Sequence, residues 1–256
     1  MDIPFTPCAQ LEVAASRGIL QLRLNRAAQK NALSLAMYQS LTQALLFAAT
    51  CDEVRVVRIS GSDDSFTAGN DLADFLSAGE LNEDHPAVQF MRAVRALPQP
   101  LVAEVNGLAV GIGTTLLLHC DLIYASEDAY FQLPFTQLGL CPEFASSTLL
   151  SKRVGHARAR QLLLLGERLP ALEAEQWGLI NGVYPLERLG EEVDWVCGQL
   201  TKLPPGALVR TKALLNEVES WPTDQVIGRE LQVFSQCLHG PEAKQVISQL
   251  MNKEKS

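Results

Sequence analysis

Two segments of this 256-residue chain carry glycines where chemistry could be built from backbone alone. The first is Phe66-Thr67-Ala68-Gly69-Asn70-Asp71-Leu72, which leads into the apolar stretch Leu72 to Leu76. The second is Asn106-Gly107-Leu108-Ala109-Val110-Gly111-Ile112-Gly113, which leads into Thr114 to Leu118. Each joins a strand region to a helix start through glycine. Such a junction leaves backbone N–H groups without intrahelical partners, and the helix dipole favours negative charge beside them. Two such donors converging on one point would form an oxyanion hole. Ordinary tight turns use the same glycines, and spacing alone leaves both readings open. A single acid, Glu143, stands in Leu140-Cys141-Pro142-Glu143-Phe144-Ala145-Ser146-Ser147. On its own, an acid after proline and before a helix beginning near Ala145 is an acid favoured by that helix's dipole.

The commoner catalytic signatures drop out. Gly111-Ile112-Gly113 opens like a dinucleotide fingerprint, but Leu116 occupies the third glycine position and no suitably spaced acid follows. The chain contains no GxxxxGK[ST], GxSxG or HExxH. Its six cysteines are scattered, with no CxxC, and the adjacent His119-Cys120 pair is a poor chelate, so no metal site is expected. A net charge of -8 and a pI near 5.1 argue against a nucleic-acid partner. Met1 to Gln10 lack a signal-peptide pattern, and Leu108 to Leu118, the longest apolar stretch, is too short to span a bilayer. With 47% hydrophobic residues and a mean hydropathy of +0.07, the chain can fill a core. It reads as a cytoplasmic protein with no membrane contact.

The elements that must hold these loops follow from periodicity. Leu11 to Ala15 and the alternating Leu20, Leu22 and Leu24 predict two strands, and Met37, Leu41, Ala44, Leu45 and Ala48 a helix with Ser34 as N-cap. Val54 to Ser60 reads as a strand, a helix spans about Ala87 to Leu97, and Leu101 to Val105 is again a strand. Gly107 to Gly113 reads as a loop, Thr114 to Cys120 as a buried helical turn or two, and Leu122 to Ala125 as a strand. Helices follow near Ser146 to Val154 and Ala157 to Leu165, then a strand near Leu179 to Tyr184. From about Leu186 only amphipathic helices remain, bounded by Pro204-Pro205, Trp221-Pro222 and Gly240-Pro241. The expected organisation is α/β: strand-strand-helix units over residues 1–195 and a helical region over 196–256, too small to hold its own core.

Taken together, FTAGNDL, VNGLAVGIGTTLLLHCDLIYASEDAYFQLPF and QLGLCPEFASS, in this order and at these separations, resemble the crotonase (enoyl-CoA hydratase/isomerase) superfamily. The resemblance runs from about Leu11 to Tyr184, more weakly through the tail. It implies a spiral of ββα units with a C-terminal helical trimerisation region, giving a homotrimer or a dimer of trimers. It also implies an acyl-CoA substrate gripped at its thioester carbonyl by the backbone amides of Asn70 and Ile112. Lys30, Ala32, Ala68 and Leu72 fall at the CoA-binding positions, and CoA enters only as part of the substrate, with no further cofactor. Hydratases of the family usually carry two glutamates, at positions that are Thr115 and Phe135 here. The lone Glu143 instead resembles the Δ3,Δ2-enoyl-CoA isomerase branch, where one acid moves a proton from C2 to C4. An apolar shell of Phe135, Phe144 and Phe75 would raise its pKa. Other reactions of the superfamily stay open: hydration, dienoyl-CoA isomerisation and isomerisation of ring-derived CoA thioesters. So does acyl-CoA binding without catalysis.

Among the remaining polar residues, Asp71 reads as a helix cap, and Arg26 or Lys30 as either a phosphate contact or an exposed loop charge. Glu104 is expected to face solvent or a subunit contact. The four histidines are expected to be structural.

Overall fold

The computed structural model describes residues 2–77, 81–219 and 223–253. Alternating apolar residues pair Leu11–Ser16 (β1) with Ile19–Leu24 (β2) as an antiparallel hairpin, Leu11 opposite Leu24 and Val13 opposite Leu22. Ser34 caps Leu35–Thr50 (α1) by accepting the Met37 N–H, and the helix buries the stripe its spacing predicts. The chain then repeats a unit. Val56–Ser60 (β3) and Ser65–Thr67 (β4) lead to helices Leu72–Ser77 (α2) and Pro86–Ala96 (α3). Leu101–Val105 (β5) and Leu108–Val110 (β6) lead to Ile112–Leu117 (α4). Leu122–Ser126 (β7) and Tyr130–Gln132 (β8) lead to Ser146–Val154 (α5) and His156–Leu165 (α6). Arg168–Pro170 (β9), Ala171–Gln176 (α7) and Gly182–Tyr184 (β10) close the body. The tail is Leu186–Lys202 (α8), which runs across the 195/196 boundary, then Pro205–Glu219 (α9), Thr223–Leu238 (α10) and Pro241–Lys253 (α11). Trp221 and Pro222 lie outside the described residues.

Each unit sends its first strand to a six-stranded sheet, β1-β2-β3-β5-β7-β10, and its second to a four-stranded sheet, β4-β6-β8-β9. Successive units pair in parallel in both sheets, so the chain winds as a spiral. One face of the long sheet, with Leu22, Val57, Ile59, Ala103, Val105 and Ile123, joins the main core against α1 and α3. The other face, with Ile19, Val56 and Val102, lies under Leu189, Val193 and Cys197 of α8.

Two expectations need correction. Gly107 to Gly113 is not one loop: it contains β6, a rung of the short sheet. Glu104 does not face solvent. In β5, Leu101, Ala103 and Val105 turn to the core, so Glu104 shares the face that α8 covers. There its side chain is 14% exposed and receives two hydrogen bonds from Arg58, which also pairs with Asp194 of α8. An ion pair under a helix satisfies the charge that the strand's alternation carries inward.

Candidate active site

The two glycine loops meet backbone to backbone. Gly69 has φ +94°, and a Cβ there would sit 2.8 Å from the Val110 carbonyl oxygen. Gly113 is equally tight, its would-be Cβ 2.9 Å from the Thr67 carbonyl oxygen. Neither contact admits a side chain, which is why glycine stands at both positions. The first loop is held by a parallel bridge between Leu33 and Asn70: the Leu33 N–H donates to the Gly69 carbonyl (2.7 Å) and the Asp71 N–H to the Leu33 carbonyl (3.0 Å). That pattern uses the groups flanking Asn70 and turns the Asn70 N–H away from Leu33. In the second loop Gly111 is the N-cap of α4 and Ile112 its first residue, so the Ile112 N–H has no intrahelical acceptor.

Asn70 and Ile112 line one cavity of about 610 Å³ together with Lys30, Ala32, Ala68 and Leu72. Six of the seven site residues expected from the sequence therefore share one wall. The rest of the lining is largely apolar, with Phe135, Leu138 and Leu140 from the body and Phe234 and Met251 from α10 and α11. A larger hollow of about 930 Å³ lies between α3 and α10, but neither loop nor Glu143 borders it.

The seventh residue, Glu143, is not part of this lining and is 2% exposed. Its Oε1 accepts a 2.5 Å hydrogen bond from the Thr115 hydroxyl, one turn beyond Ile112 on α4. Its Oε2 is buried with no hydrogen-bond partner among the described residues. Burial pushes this carboxyl up to about 8; the Thr115 bond offsets part of that, and the charge of Glu230 adds to it. The Ser146 N–H and hydroxyl both donate to the Glu143 carbonyl, at 3.0 and 2.6 Å. The next two residues, Phe144 and Ala145, are left-handed at φ 55° and 58°.

Neighbours that sequence reasoning did not pick out hold this turn. His119 stacks on the Phe144 ring with centroids 3.8 Å apart, and burial lowers its pKa to about 3. The neutral ring donates from Nε2 to the Phe144 carbonyl at 2.8 Å. Tyr38 of α1 donates to the Asn70 side-chain oxygen. Its hydroxyl is pushed well above the usual tyrosine range by burial and then by the charge of Glu143. Of the expected apolar shell, Phe144 meets His119, whereas Phe75 and Phe135 both pack edge-on against Phe234, at 5.9 and 6.5 Å.

Asp71 caps α2, accepting the N–H groups of Ala73 and Asp74 at 3.0 and 3.2 Å. It also binds Arg26 at 2.7 Å, and Arg26 donates to the Ala32 carbonyl as well. Arg26 is thus engaged in holding the loop. Lys30 pairs with Asp64 at 2.6 Å, half-exposed at the cavity.

A ββα spiral in which two glycine junctions abut over one cavity is the crotonase fold. The chain belongs to the enoyl-CoA hydratase/isomerase family, whose profile matches residues 14–256. It is 39% identical over 213 residues to enoyl-CoA delta isomerase 2 of Rattus norvegicus, covering 81% of this chain and 54% of that protein. The chain thus spans a little over half the length of that relative. It is 32% identical over 248 residues to the 2,3-dehydroadipyl-CoA hydratase of Escherichia coli (strain K12), covering 96% of each. The crystal structure of an enoyl-CoA hydratase/isomerase from Pseudoalteromonas atlantica T6c superposes with a TM-score of 0.92 at 36% identity, over 95% of this chain and 97% of that one. Among the described residues no helix is long and apolar enough to cross a membrane, and no cluster of three potential metal ligands occurs.

Proposed function

We propose that this protein isomerises a 3-enoyl-CoA to a 2-enoyl-CoA. The observation that carries the reading is a buried acid, Glu143, with one oxygen tethered to Thr115 and the other without a partner among the described residues, one turn of α4 from a cavity edged by two backbone donors. The N–H groups of Asn70 and Ile112 take the thioester carbonyl oxygen. Glu143 Oε2 removes a proton from C2, and the C–H electron pair delocalises into a dienolate whose oxyanion the two amides stabilise. The same oxygen then delivers its proton to C4, the C3–C4 double bond moves to C2–C3, and the carbonyl re-forms. A carboxyl held near 8 is a stronger base than an ordinary glutamate and a competent acid once protonated. The cavity's outer residues, Lys30, Ala32, Ala68 and Leu72, take the CoA portion. The reading requires the acyl chain to part the apolar wall and reach Oε2. It uses no metal or redox group, CoA entering with the substrate.

Hydration is the second reading, favoured by the likeness to the Escherichia coli hydratase along almost its whole length. Against it stand Thr115 and Phe135, where a pair of acids would be needed to activate water and protonate C2. Incubation with a 3-enoyl-CoA and, separately, a 2-enoyl-CoA separates the two. Conversion of the first at unchanged mass supports isomerisation, and a gain of one water by the second overturns it. A Glu143→Gln variant is expected to lose about 10²-fold or more in rate; near-normal turnover would remove Glu143 from the mechanism.

Two further features belong to this reading. Exposed Trp195, Leu214 and Leu215 on α8 and α9 support a homotrimer, or a dimer of trimers, assembled through the tail; light scattering that reports a monomer would refute it. The six unpaired thiols suit the reducing cytoplasm.

A further inference from the structure

We propose that Glu230, on the tail helix α10, is a positioning residue for the acid. It locks the left-handed turn that presents Glu143 and ties that turn to the helix closing the cavity. The inference rests on the reading of Glu143 as the acid and adds a residue 85 positions beyond the turn it holds.

Glu230 is 8% exposed and uses both carboxylate oxygens on the turn: Oε2 accepts the Ala145 N–H at 2.5 Å and Oε1 the Ser147 N–H at 3.1 Å. These amides open α5, where the helix offers them no acceptor. Between them and Glu143 lie Phe144 and Ala145, two successive non-glycine residues in the left-handed region. That conformation is strained for a residue with a side chain and persists only where its surroundings impose it. Beyond the turn's own bonds from Ser146 to the Glu143 carbonyl, two neighbours hold it: His119 fixes the Phe144 carbonyl from α4, and Glu230 fixes the Ala145 and Ser147 amides from α10. If the pair relaxed to right-handed geometry, the peptide that carries Glu143 would rotate and its carboxyl would leave Thr115. The same helix reaches the cavity one turn later with Phe234, packed on Phe135. Seating α10 therefore closes the cavity and sets the acid in one movement.

Among the described residues, the groups facing Glu143 are the Thr115 hydroxyl from α4, the Tyr38 hydroxyl from α1 and the Glu230 carboxylate from α10. Beside Glu230 lies the thiol of Cys141, which in turn meets that of Cys237. Negative charge on Glu230 holds the Glu143 proton more tightly, so a neutral residue there lets Glu143 ionise at lower pH.

The test compares the full-length parent with Glu230→Gln and Glu143→Gln, assayed on a six-carbon 3-enoyl-CoA, with thermal melts run alongside. For Glu230→Gln we expect kcat to fall about tenfold, KM to stay within about threefold, and the acidic limb of the kcat profile to move to lower pH. A kcat within about twofold of the parent, a loss carried by KM, or an unmoved acidic limb would each overturn the proposal. If Glu230→Gln melts below the assay temperature, Glu230→Asp decides. It keeps the charge and both acceptors one methylene further back, so kcat should fall with the limb in place, and parental kcat overturns the assignment. Full turnover by Glu143→Gln would sink the underlying reading instead; an inactive Glu143→Gln beside parental Glu230 variants sinks only this one.

Discussion

The two sheets divide the labour of the molecule. The long sheet is built mostly from strands of five or six residues, whose alternation packs one face on the main core and the other under α8. The short sheet is built from strands of three residues, each too short to bury much alone. Yet the short strands lead directly into Gly69-Asn70 and Gly111-Ile112, where backbone donors are left over. Long strands satisfy their own polar groups and hold the fold; short ones end early and leave groups free for a ligand.

If that division is right, lesions in the two sheets should separate stability from turnover. The largest effect is expected in the long sheet. Ile59→Ala, at 2% exposure, should cost about 2–5 kcal/mol. The melting temperature should fall while kcat below the transition stays near the parent's; a matching collapse of kcat would erase the distinction.

Behind the short sheet the sign reverses. Glu143 has an ordinary value of 4.5 in the unfolded chain and about 8 in the fold, so the folded state binds more protons between those limits. Parental stability must then drop as pH rises through that window, by up to about 1.4 kcal/mol per pH unit. Glu143→Gln lacks this slope. Its gain over the parent, read from melts at pH 5 and pH 8, should be small at the first and on the order of a few kcal/mol at the second. Parallel curves would mean that the carboxyl is not held protonated by burial.

Gly69→Ala should cost about 1–3 kcal/mol, from left-handed strain and the 2.8 Å approach to Val110, and should lower kcat more than its stability loss explains. Unchanged kcat would show that the meeting of the two loops is structural only. The smallest effect is expected from Thr115→Val, about 1 kcal/mol. Losing the hydroxyl lets the Glu143 pKa climb further, so the acidic limb of kcat should move to higher pH, opposite to the shift expected for Glu230→Gln.

The same contrast explains what could be read in the sequence. The α1 stripe, the Ser34 cap, the two strands β1 and β2 and the span of α5 follow from local periodicity and, for α1, capping, and the structure places them there; the antiparallel pairing of β1 with β2 comes from the structure. The short sheet was missed because three residues carry no period: Phe66 and Phe131 are buried by neighbouring rungs, not by alternation of their own. The loops were legible through their glycines, and Glu143 only through its setting among the family motifs. Tyr38 and Glu230 left no local mark. Each reads as an ordinary residue of an amphipathic helix, and its partner in the site lies 32 or 85 positions away.

The partnerless oxygen of Glu143 has an isotopic consequence. With the acyl chain in place, a hydron taken from C2 would rest on a buried oxygen of a residue 2% exposed, with no hydrogen-bonded neighbour among the described residues to pass it on. Its one exit is back to the same substrate molecule. Turnover in heavy water should therefore leave the product's C4 largely unlabelled, and a substrate deuterated at C2 should carry its own label across the double bond.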